Sequence, residues 1–384
     1  MAGNENSGRR AENRGRNTRK NITDEELELI NNLRRIEDEA ISQGLNPKDV
    51  KHGWLKTKES SLFFKNPLFS DGGLDELAIA RVVDRLVEKH KTTFVRKSIP
   101  KPEKESDVLL KVIVSDAHVG MNPNPDGNAL FQYEYNSEIY QESMDKILTS
   151  VEKEFSTYGF FDEIHILDLG DLADGWNGYT TRGGHELPQN LTNDQVFELC
   201  VDTKVSMIRE LVESNKANRI ILRSICNDNH SGDFGLIINL TIKKMINLLY
   251  RDEVVEVDII RRFIEHRIYG DHCFILTHGK DKKERKIGFP IVLNDNAIRI
   301  INDYIEHYEI RSKFIHVEKG DLHQIGYQRT KKFDYRNYMS FAPPSSWIQH
   351  NFGDSYSGYS TQVVHKETND ICHTDYFLDY KKKK

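Results

Sequence analysis

The chain has 384 residues, of which 38% are hydrophobic and 30% are charged, so it can bury a substantial core without disulfide bonds. Its apolar runs are far shorter than the roughly 20 residues of a membrane span, and its first residues lack the apolar stretch of a signal peptide. The formal net charge of -6 excludes a global basic field, so any nucleic-acid site must be local. With four dispersed cysteines and no Cys-x-x-Cys pair, we expect a soluble, cytoplasmic protein with no membrane partner.

The N-terminal third differs in composition from the rest of the chain. Residues 1–20 hold six basic side chains and almost nothing apolar, which predicts a disordered basic arm that either contacts phosphates or is simply solvated. Residues 92–106 contain two prolines and a mixed-charge run, which is typical of a linker. We therefore place a domain boundary there and expect the main domain to span 107–380.

Residues 21–91 are predicted to form a small helical module. Thr23 and Glu26 have capping-box spacing, and apolar residues then recur on one helical face to about Gly44. A second amphipathic stripe covers 74–91. The module shows no DNA-recognition signature, so a protein partner is an alternative to DNA.

The main domain shows an alternation of strands and helices. Apolar, β-branched runs at 108–115, 163–169 and 219–226 are separated by helix-length stretches at 137–155 and 194–214. After residue 250 short runs crowd together, as expected for a second sheet. These later runs are 254–260, 264–269, 273–277 and 313–317, with one helical segment at 294–308.

Polar residues follow the predicted strands where open α/β sheets place their sites. Asp116 and His118 end the first strand, and alternate residues of an extended segment point to one side, so both can chelate one ion. Asp171 is the Asp of the Gly170-Asp171 pair that follows the second strand, and Asn229-His230 follow the third. An Asn oxygen suits a metal, whereas a neighbouring His can remain free to donate a proton.

Two later strands end in the same way. His278 precedes a glycine after the run 273–277, and Asp321 and His323 repeat the Asp-x-His spacing near the run 313–317. Each motif alone is common, because a strand-end Asp often caps a turn and a lone His is usually structural. Five strand ends that deliver metal-ligand residue types in one domain are a more specific signal.

The ordered set resembles the calcineurin-like metallophosphoesterase superfamily over about residues 110–325. The family pattern is Asp-x-His, Gly-Asp-x-x-Asp, Gly-Asn-His, His, and Gly-His-x-His. The resemblance implies an α/β fold with a four-layer α/β/β/α sandwich and a metal-dependent phosphoesterase. In such enzymes two metal ions clamp both sides of an in-line displacement at phosphorus.

The resemblance also implies a role for each residue. Asp116, His118 and His323 look like ligands of the first metal, Asp171 looks like the carboxylate that bridges both ions, and His230 looks like the non-ligand histidine that protonates the leaving oxygen. The second ion would be held by Asn229 and His278.

Two positions depart from the family pattern. Asp228 stands where the family has Gly before Asn-His, and Asp321 stands where the last motif begins with His. An oxygen ligand at Asp321 favours Mn²⁺, which is our expectation for the native ion, with Mg²⁺, Fe²⁺ or Zn²⁺ as alternatives.

The sequence also bears on the substrate. Asp174 is followed by Gly175-Trp176 instead of the Arg-Gly of protein phosphatases, so the phosphate-gripping arginine of that branch is missing. The glycine-rich segment 178–188 looks like phage and prophage phosphoesterases, and its Arg182 and His185 are candidate substrate-binding residues.

Two further features could serve a polynucleotide. A basic run covers 280–286, and six aromatic residues between Tyr327 and Trp347 interleave with Arg and Lys. A solvated surface and core packing are the alternative explanations.

These features together favour a nuclease acting in DNA metabolism, related to Mre11 and SbcD, in the cytoplasm or in the host cytoplasm if phage-encoded. One alternative is a small-molecule phosphatase or cyclic-nucleotide phosphodiesterase. The other is a non-catalytic binding or structural protein that keeps the fold with a weakened site.

Overall fold

In a computed structural model, the described residues are 52–56, 61–65, 85–86, 105–283, 285 and 287–381. The chain divides into two compact units, 1–73 and 74–384. In the first, strands β1 (His52–Lys56) and β2 (Ser61–Lys65) form an antiparallel hairpin. The sequence had indicated only helices and turns for this module.

Most of the other N-terminal predictions lie outside the described residues. These are the arm 1–20, the helix from Thr23 to Gly44 and nearly all of the linker 92–106. Within the predicted helix 74–91, Arg85 and Leu86 are helical, and Leu86 is buried among core residues of the second unit. The boundaries of the module and the linker stay predictions.

The second unit contains a six-stranded sheet in the order β13-β12-β3-β4-β5-β6. Strands β3 to β6 are parallel, whereas β12 runs antiparallel to β3 and β13 antiparallel to β12. The strands are β3 (Val108–Val114), β4 (Phe161–Asp168), β5 (Ala217–Ile225), β6 (Val255–Ile260), β12 (Gly358–His365) and β13 (Ile371–Phe377).

A five-stranded sheet lies beside it in the order β10-β11-β9-β8-β7. Its inner strands β8, β9 and β11 are parallel, and the edge strands are antiparallel to their neighbours. The strands are β7 (Glu265–Tyr269), β8 (His272–Thr277), β9 (Phe314–Lys319), β10 (Gly326–Arg329) and β11 (Asp334–Asn337).

Helices cover the outer face of each sheet, which gives the predicted four-layer α/β/β/α architecture. The first three helices of this unit pack on the six-stranded sheet, and the fourth helix packs on the five-stranded sheet. The helices are α1 (Ser137–Tyr158), α2 (Asn193–Ser214), α3 (Gly232–Leu249), α4 (Asp295–His307) and the short α5 (Ser346–Phe352).

A third apolar layer between the sheets includes Ile113, Leu167 and Leu276. These residues alternate along their strands with the helix-facing positions, as the period of two requires.

One part of the predicted sheet order is wrong. The run 254–260 was expected in the second sheet, but β6 pairs with β5 and extends the first. Buried and half-buried residues alternate over the first four positions of β6, as expected for an edge strand with one covered face. Among the described residues, no helix has the length and apolar content to cross a membrane.

Candidate metal centre

The predicted metal ligands all lie at one edge of the sandwich, where strands of both sheets end. Asp116 and His118 follow β3, Asp171 follows β4, and Asn229 follows β5. His278 follows β8 of the other sheet directly, and the segment after β9 carries Asp321 and His323. The carboxyl ends of parallel strands meet at one edge, which is why residues so distant in sequence converge.

The first cluster is formed by Asp116, His118 and His323, all of which are buried. His323 Nε2 lies 3.2 Å from His118 Nε2 and 3.4 Å from Asp116 Oδ1. These are the three residues that the resemblance assigns to the first metal.

The second cluster centres on His278. Its Nε2 lies 3.1 Å from Asn229 Oδ1 and 3.2 Å from Asp171 Oδ2. Its Nδ1 donates to the carbonyl oxygen of Leu169 at 2.9 Å, so Nε2 is the ring nitrogen that faces the cluster and could bind a metal ion in place of a proton. Gly170 makes this approach possible, because a Cβ there would lie 2.8 Å from His278 Nδ1.

Asp171 lies between the two clusters. One of its oxygens faces His278, and the other accepts from the backbone N–H of His230 at 3.0 Å. Asp171 could share an ion with Asp116 and His278, or with His118 and His230. A position common to both clusters is what a bridging carboxylate requires.

The donor atoms fit bound cations. Asp116 Oδ1 is fully buried and accepts no hydrogen bond within the described part of the chain. His118 Nδ1 must donate to Asp174 Oδ1 at 2.9 Å, because a carboxylate only accepts, so the lone pair of its Nε2 faces His323. Converging lone pairs repel one another unless protons or metal ions separate them, and carboxylate, amide and imidazole donors suit divalent ions.

Asp321 lies at the margin of the site. Its Oδ1 is 4.0 Å from His278 Nε2, and its backbone N–H donates to Asp116 Oδ2 at 3.1 Å. The side chain is thus near the second cluster, although it is not among the groups whose ligand atoms converge most closely.

His230 contacts the centre through its backbone and through Asp174. Its Nδ1 lies 3.2 Å from Asp174 Oδ1, which leaves Nε2 available on a ring that is 21% exposed. Burial lowers the pKa of His230, but the carboxylates of Asp171 and Asp174 outweigh it and raise the pKa to about 9.

The same charges shape the rest of the site. Burial raises the pKa of Asp171, but His278 and His230 hold it well below its usual range, and Asp116 is lowered in the same way by His323. The pKa of His278 is correspondingly raised, mainly by Asp171, against the opposing effect of burial. Without metal, protons on His230 and His278 therefore compensate the carboxylates.

Asp228, which departs from the family pattern, has a structural role that the sequence did not indicate. Its Oδ1 accepts from the backbone N–H groups of Ser231 at 2.7 Å and Gly232 at 2.9 Å, at the start of α3. Burial and the nearby Asp171 raise its pKa to about 7. Asp228 thus binds the helix terminus, and the ligand atoms around it still converge.

The glycine-rich segment 178–188 packs against the strand end that carries Asn229 and His230. Arg182 N donates to Asn229 O at 3.0 Å, and its guanidinium donates to the carbonyl oxygens of Asp281 at 3.3 Å and Arg285 at 3.4 Å. Arg182 therefore ties two loops together. His185 is exposed, and its backbone bonds with Thr180 keep it within this loop.

The basic run is partly neutralised by its neighbours. Lys282 pairs with Asp233, and Arg285 pairs with Asp281, whereas Lys280 is exposed beside the site. The six aromatic residues between Tyr327 and Trp347 fall into two groups. Tyr327 and Trp347 are exposed, whereas the other four are buried in the core. The buried members are Phe333, Tyr335, Tyr338 and Phe341.

Sequence reasoning did not select Asp174 or Lys319 as site residues. Asp174 had a signal, since it is the second Asp of Gly-Asp-x-x-Asp, but only the fold shows that one of its oxygens serves both His118 and His230. Lys319 had none, because a lysine at a strand end is ordinarily solvated, and here it is fully buried.

Comparisons with known proteins give similarity only at the level of solved structures, because no family model and no curated protein matches the chain. Vps29 from Entamoeba histolytica, crystallised with Zn²⁺, is 11% identical with a TM-score of 0.30, covering 70% of this chain and 98% of that one. An archaeal phosphodiesterase is 11% identical with a TM-score of 0.32, covering 70% and 99%. A predicted phosphoesterase from Streptococcus pneumoniae TIGR4 is 11% identical with a TM-score of 0.27, covering 71% and 100%.

Proposed function

We propose that this protein hydrolyses phosphoester bonds with two divalent metal ions, and that its substrates are phosphodiesters in nucleic acid. The observation that carries the proposal is the convergence of carboxylate, amide and imidazole donor atoms at one edge, including the buried Asp116 Oδ1, which accepts no hydrogen bond from the residues that the structure describes. A purely structural cluster would satisfy such an atom with a donor.

In this proposal Asp116, His118 and His323 hold one ion, Asn229 and His278 hold the other, and Asp171 contacts both. Two bound ions would act as Lewis acids on the phosphate and on the attacking water. Asp321 would add an oxygen at the second position, which favours Mn²⁺ over softer ions.

His230 would act on the substrate directly. Asp174 fixes its Nδ1 and Asp171 fixes its backbone, so Nε2 is the atom free to give a proton to the leaving oxygen. In the metal-free site the carboxylates of Asp171 and Asp174 raise the pKa of His230 to about 9, so the ring carries the proton that a general acid requires.

The nucleic-acid substrate rests on local features. The loop 178–188, the exposed Lys280 beside His278 and the basic arm 1–20 are the elements that would contact a phosphate backbone. A relation to Mre11, SbcD and phage phosphoesterases, a protein partner for residues 21–91 and a cytoplasmic location are parts of the same proposal.

A small phosphoester is the second candidate. The ion pairs Lys282–Asp233 and Arg285–Asp281 reduce the positive charge that the basic run can offer a polynucleotide. Arg182 also points its guanidinium at backbone carbonyls, so it is not directed at a substrate phosphate.

The test compares substrates with the metal-stripped full chain, before and after addition of Mn²⁺. We expect Mn²⁺-dependent hydrolysis of bis-p-nitrophenyl phosphate and of single- or double-stranded DNA, with no activity in an Asp171→Asn control. Deletion of residues 1–20 should weaken DNA cleavage at moderate salt and leave the small diester unaffected.

Two results would contradict parts of the proposal. Absence of metal binding and of hydrolysis would favour a non-catalytic protein. Hydrolysis of p-nitrophenyl phosphate or mononucleotide esters in strong preference to DNA would replace the nuclease by a small-molecule phosphoesterase.

A further inference from the structure

The segment 320–324 carries two candidate ligands in an unfavourable backbone conformation. Asp321 and His323 have φ of 74° and 53°, in the left-handed region that residues with a Cβ rarely adopt. This backbone conformation is unfavourable for residues with a Cβ, so surrounding contacts must hold the segment in place.

His323 differs from the other two candidate histidine ligands in how its ring is held. Nδ1 of His118 bonds Asp174, and Nδ1 of His278 bonds a carbonyl oxygen, as is usual for metal-binding imidazoles. Nδ1 of His323 is buried and has no hydrogen-bond partner in the described part of the chain. The direction of this ring therefore depends on the backbone that carries it.

A buried lysine and asparagine hold that backbone. Lys319 Nζ donates to Gly320 O at 2.5 Å and to Asn337 Oδ1 at 2.7 Å, and both side chains are fully buried. Asn337 in turn donates through Nδ2 to Gln324 O. The pair thus binds both ends of the segment that carries Asp321 and His323.

Lys319 also lies against the loop that follows His278. A Cβ on Gly279 would come 2.3 Å from Lys319 Cε, so the glycine leaves the space through which the lysine passes. Gly279 has a φ of 100°, which a larger residue would adopt only under strain. One side chain therefore contacts segments that carry ligands of both clusters.

We propose that Lys319 and Asn337 are positioning residues that set the metal affinity of the centre by fixing the segment 320–324. The inference rests on the proposed function, because it assumes that His323 binds a metal ion. Neither residue would contact the ion or the substrate.

The test is Mn²⁺ binding to the metal-stripped full chain, measured by titration calorimetry for Lys319→Met. Methionine keeps the stem beside Gly279 and removes the ammonium group. We expect Mn²⁺ affinity to fall about 10- to 100-fold, the usual effect of removing a group that orients a ligand. A purely electrostatic role predicts the opposite sign, because removing a cation near the ligands would tighten the binding of another.

Lys111→Met is the matched control. Lys111 is equally buried, but its ammonium group binds Glu318 and Gln362 between the sheets, and neither of these residues lies in the segment 320–324. Its loss should lower the melting temperature and leave Mn²⁺ affinity within about twofold, since destabilisation alone does not move a ligand.

Asn337→Ala is a second, independent test that does not change the charge of the protein. We expect this substitution also to weaken Mn²⁺ binding. Wild-type affinity, or tighter binding, in a folded Lys319→Met or Asn337→Ala protein overturns the inference while leaving the proposed function intact. If both variants fail to fold, the pair serves the fold and the inference is overturned as well. A wild-type chain that binds no Mn²⁺ would instead contradict the proposed function.

Discussion

Asp174→Asn tests a carboxylate that contacts both a proposed metal ligand, His118, and the proposed general acid, His230. One oxygen, Asp174 Oδ1, accepts from His118 Nδ1 at 2.9 Å and from His230 Nδ1 at 3.2 Å, and the other oxygen is buried with no hydrogen-bond partner among the described residues. Asparagine has nearly the same shape and can keep its oxygen toward both rings. The substitution therefore removes the negative charge and changes the geometry little.

The size of the effect follows from the two hydrogen bonds. A bond to a charged group contributes about 1.5 to 3 kcal/mol and a neutral one about 0.5 to 1.5, so each bond weakens by about 1 kcal/mol. Two bonds give about 2 kcal/mol, which corresponds to a loss of roughly 30-fold in kcat/KM. The carboxylate also raises the pKa of His230, so its loss should shift the alkaline limb of the pH profile to lower pH.

The assay is hydrolysis of single-stranded DNA at saturating Mn²⁺ from pH 6 to 10, because an alkoxide leaving group needs the proton of a general acid whereas p-nitrophenolate does not. Asp375→Asn is the control, because Asp375 accepts from His373 Nε2 at 2.7 Å and from Ser360 Oγ at 2.6 Å in the β12–β13 pair, outside the metal centre. We expect the control to retain wild-type kinetics. An Asp174→Asn enzyme with an unchanged rate and pH profile would refute the role of this carboxylate.

Three further results are expected. Asp171→Ala should abolish hydrolysis and weaken the binding of both ions, because it removes the shared ligand; more than a tenth of wild-type activity would exclude that role. His230→Ala should lower kcat by about 10² to 10⁴ with Mn²⁺ affinity intact, and loss of the metal would instead make His230 a ligand. Without metal, the raised pKa values of His230 and His278 add stability that is fully present below about pH 6.5 and is lost as pH rises through the folded values, about 9 for His230. The melting temperature in chelator should therefore fall from pH 6.5 to 9, and Mn²⁺ should raise it more at pH 9, where protons no longer compete; a flat profile would contradict this.

The convergence of the candidate ligands could be predicted because it follows from strand direction. Asp116, Asp171 and Asn229 each come after a parallel strand, and the carboxyl ends of such strands share an edge. A short apolar run in the sequence indicates each strand, so the convergence can be predicted without knowledge of long-range contacts or side-chain geometry. The residue types at these positions then indicate the chemistry.

Contacts made across the fold could not be predicted in this way. The run 254–260 has the composition of a strand in either sheet, and only its pairing with β5 decides the matter. Asp228 looks like a defect in the site, but its oxygens bind the start of α3. Arg182 looks like a phosphate ligand, yet its guanidinium reaches two carbonyl oxygens about 100 residues away in sequence.

Backbone strain gives a reason to regard the cluster as a functional site that is independent of its resemblance to any enzyme. Among the described residues, eight with a side chain beyond glycine have positive φ, and five of the eight are candidate ligands. Glycine would relieve this strain at each position but would supply no ligand atom. Retaining a carboxylate or an imidazole there is costly to the fold, so these side chains are better explained by what they bind than by what they stabilise. The five are Asp116, His118, Asp171, Asp321 and His323.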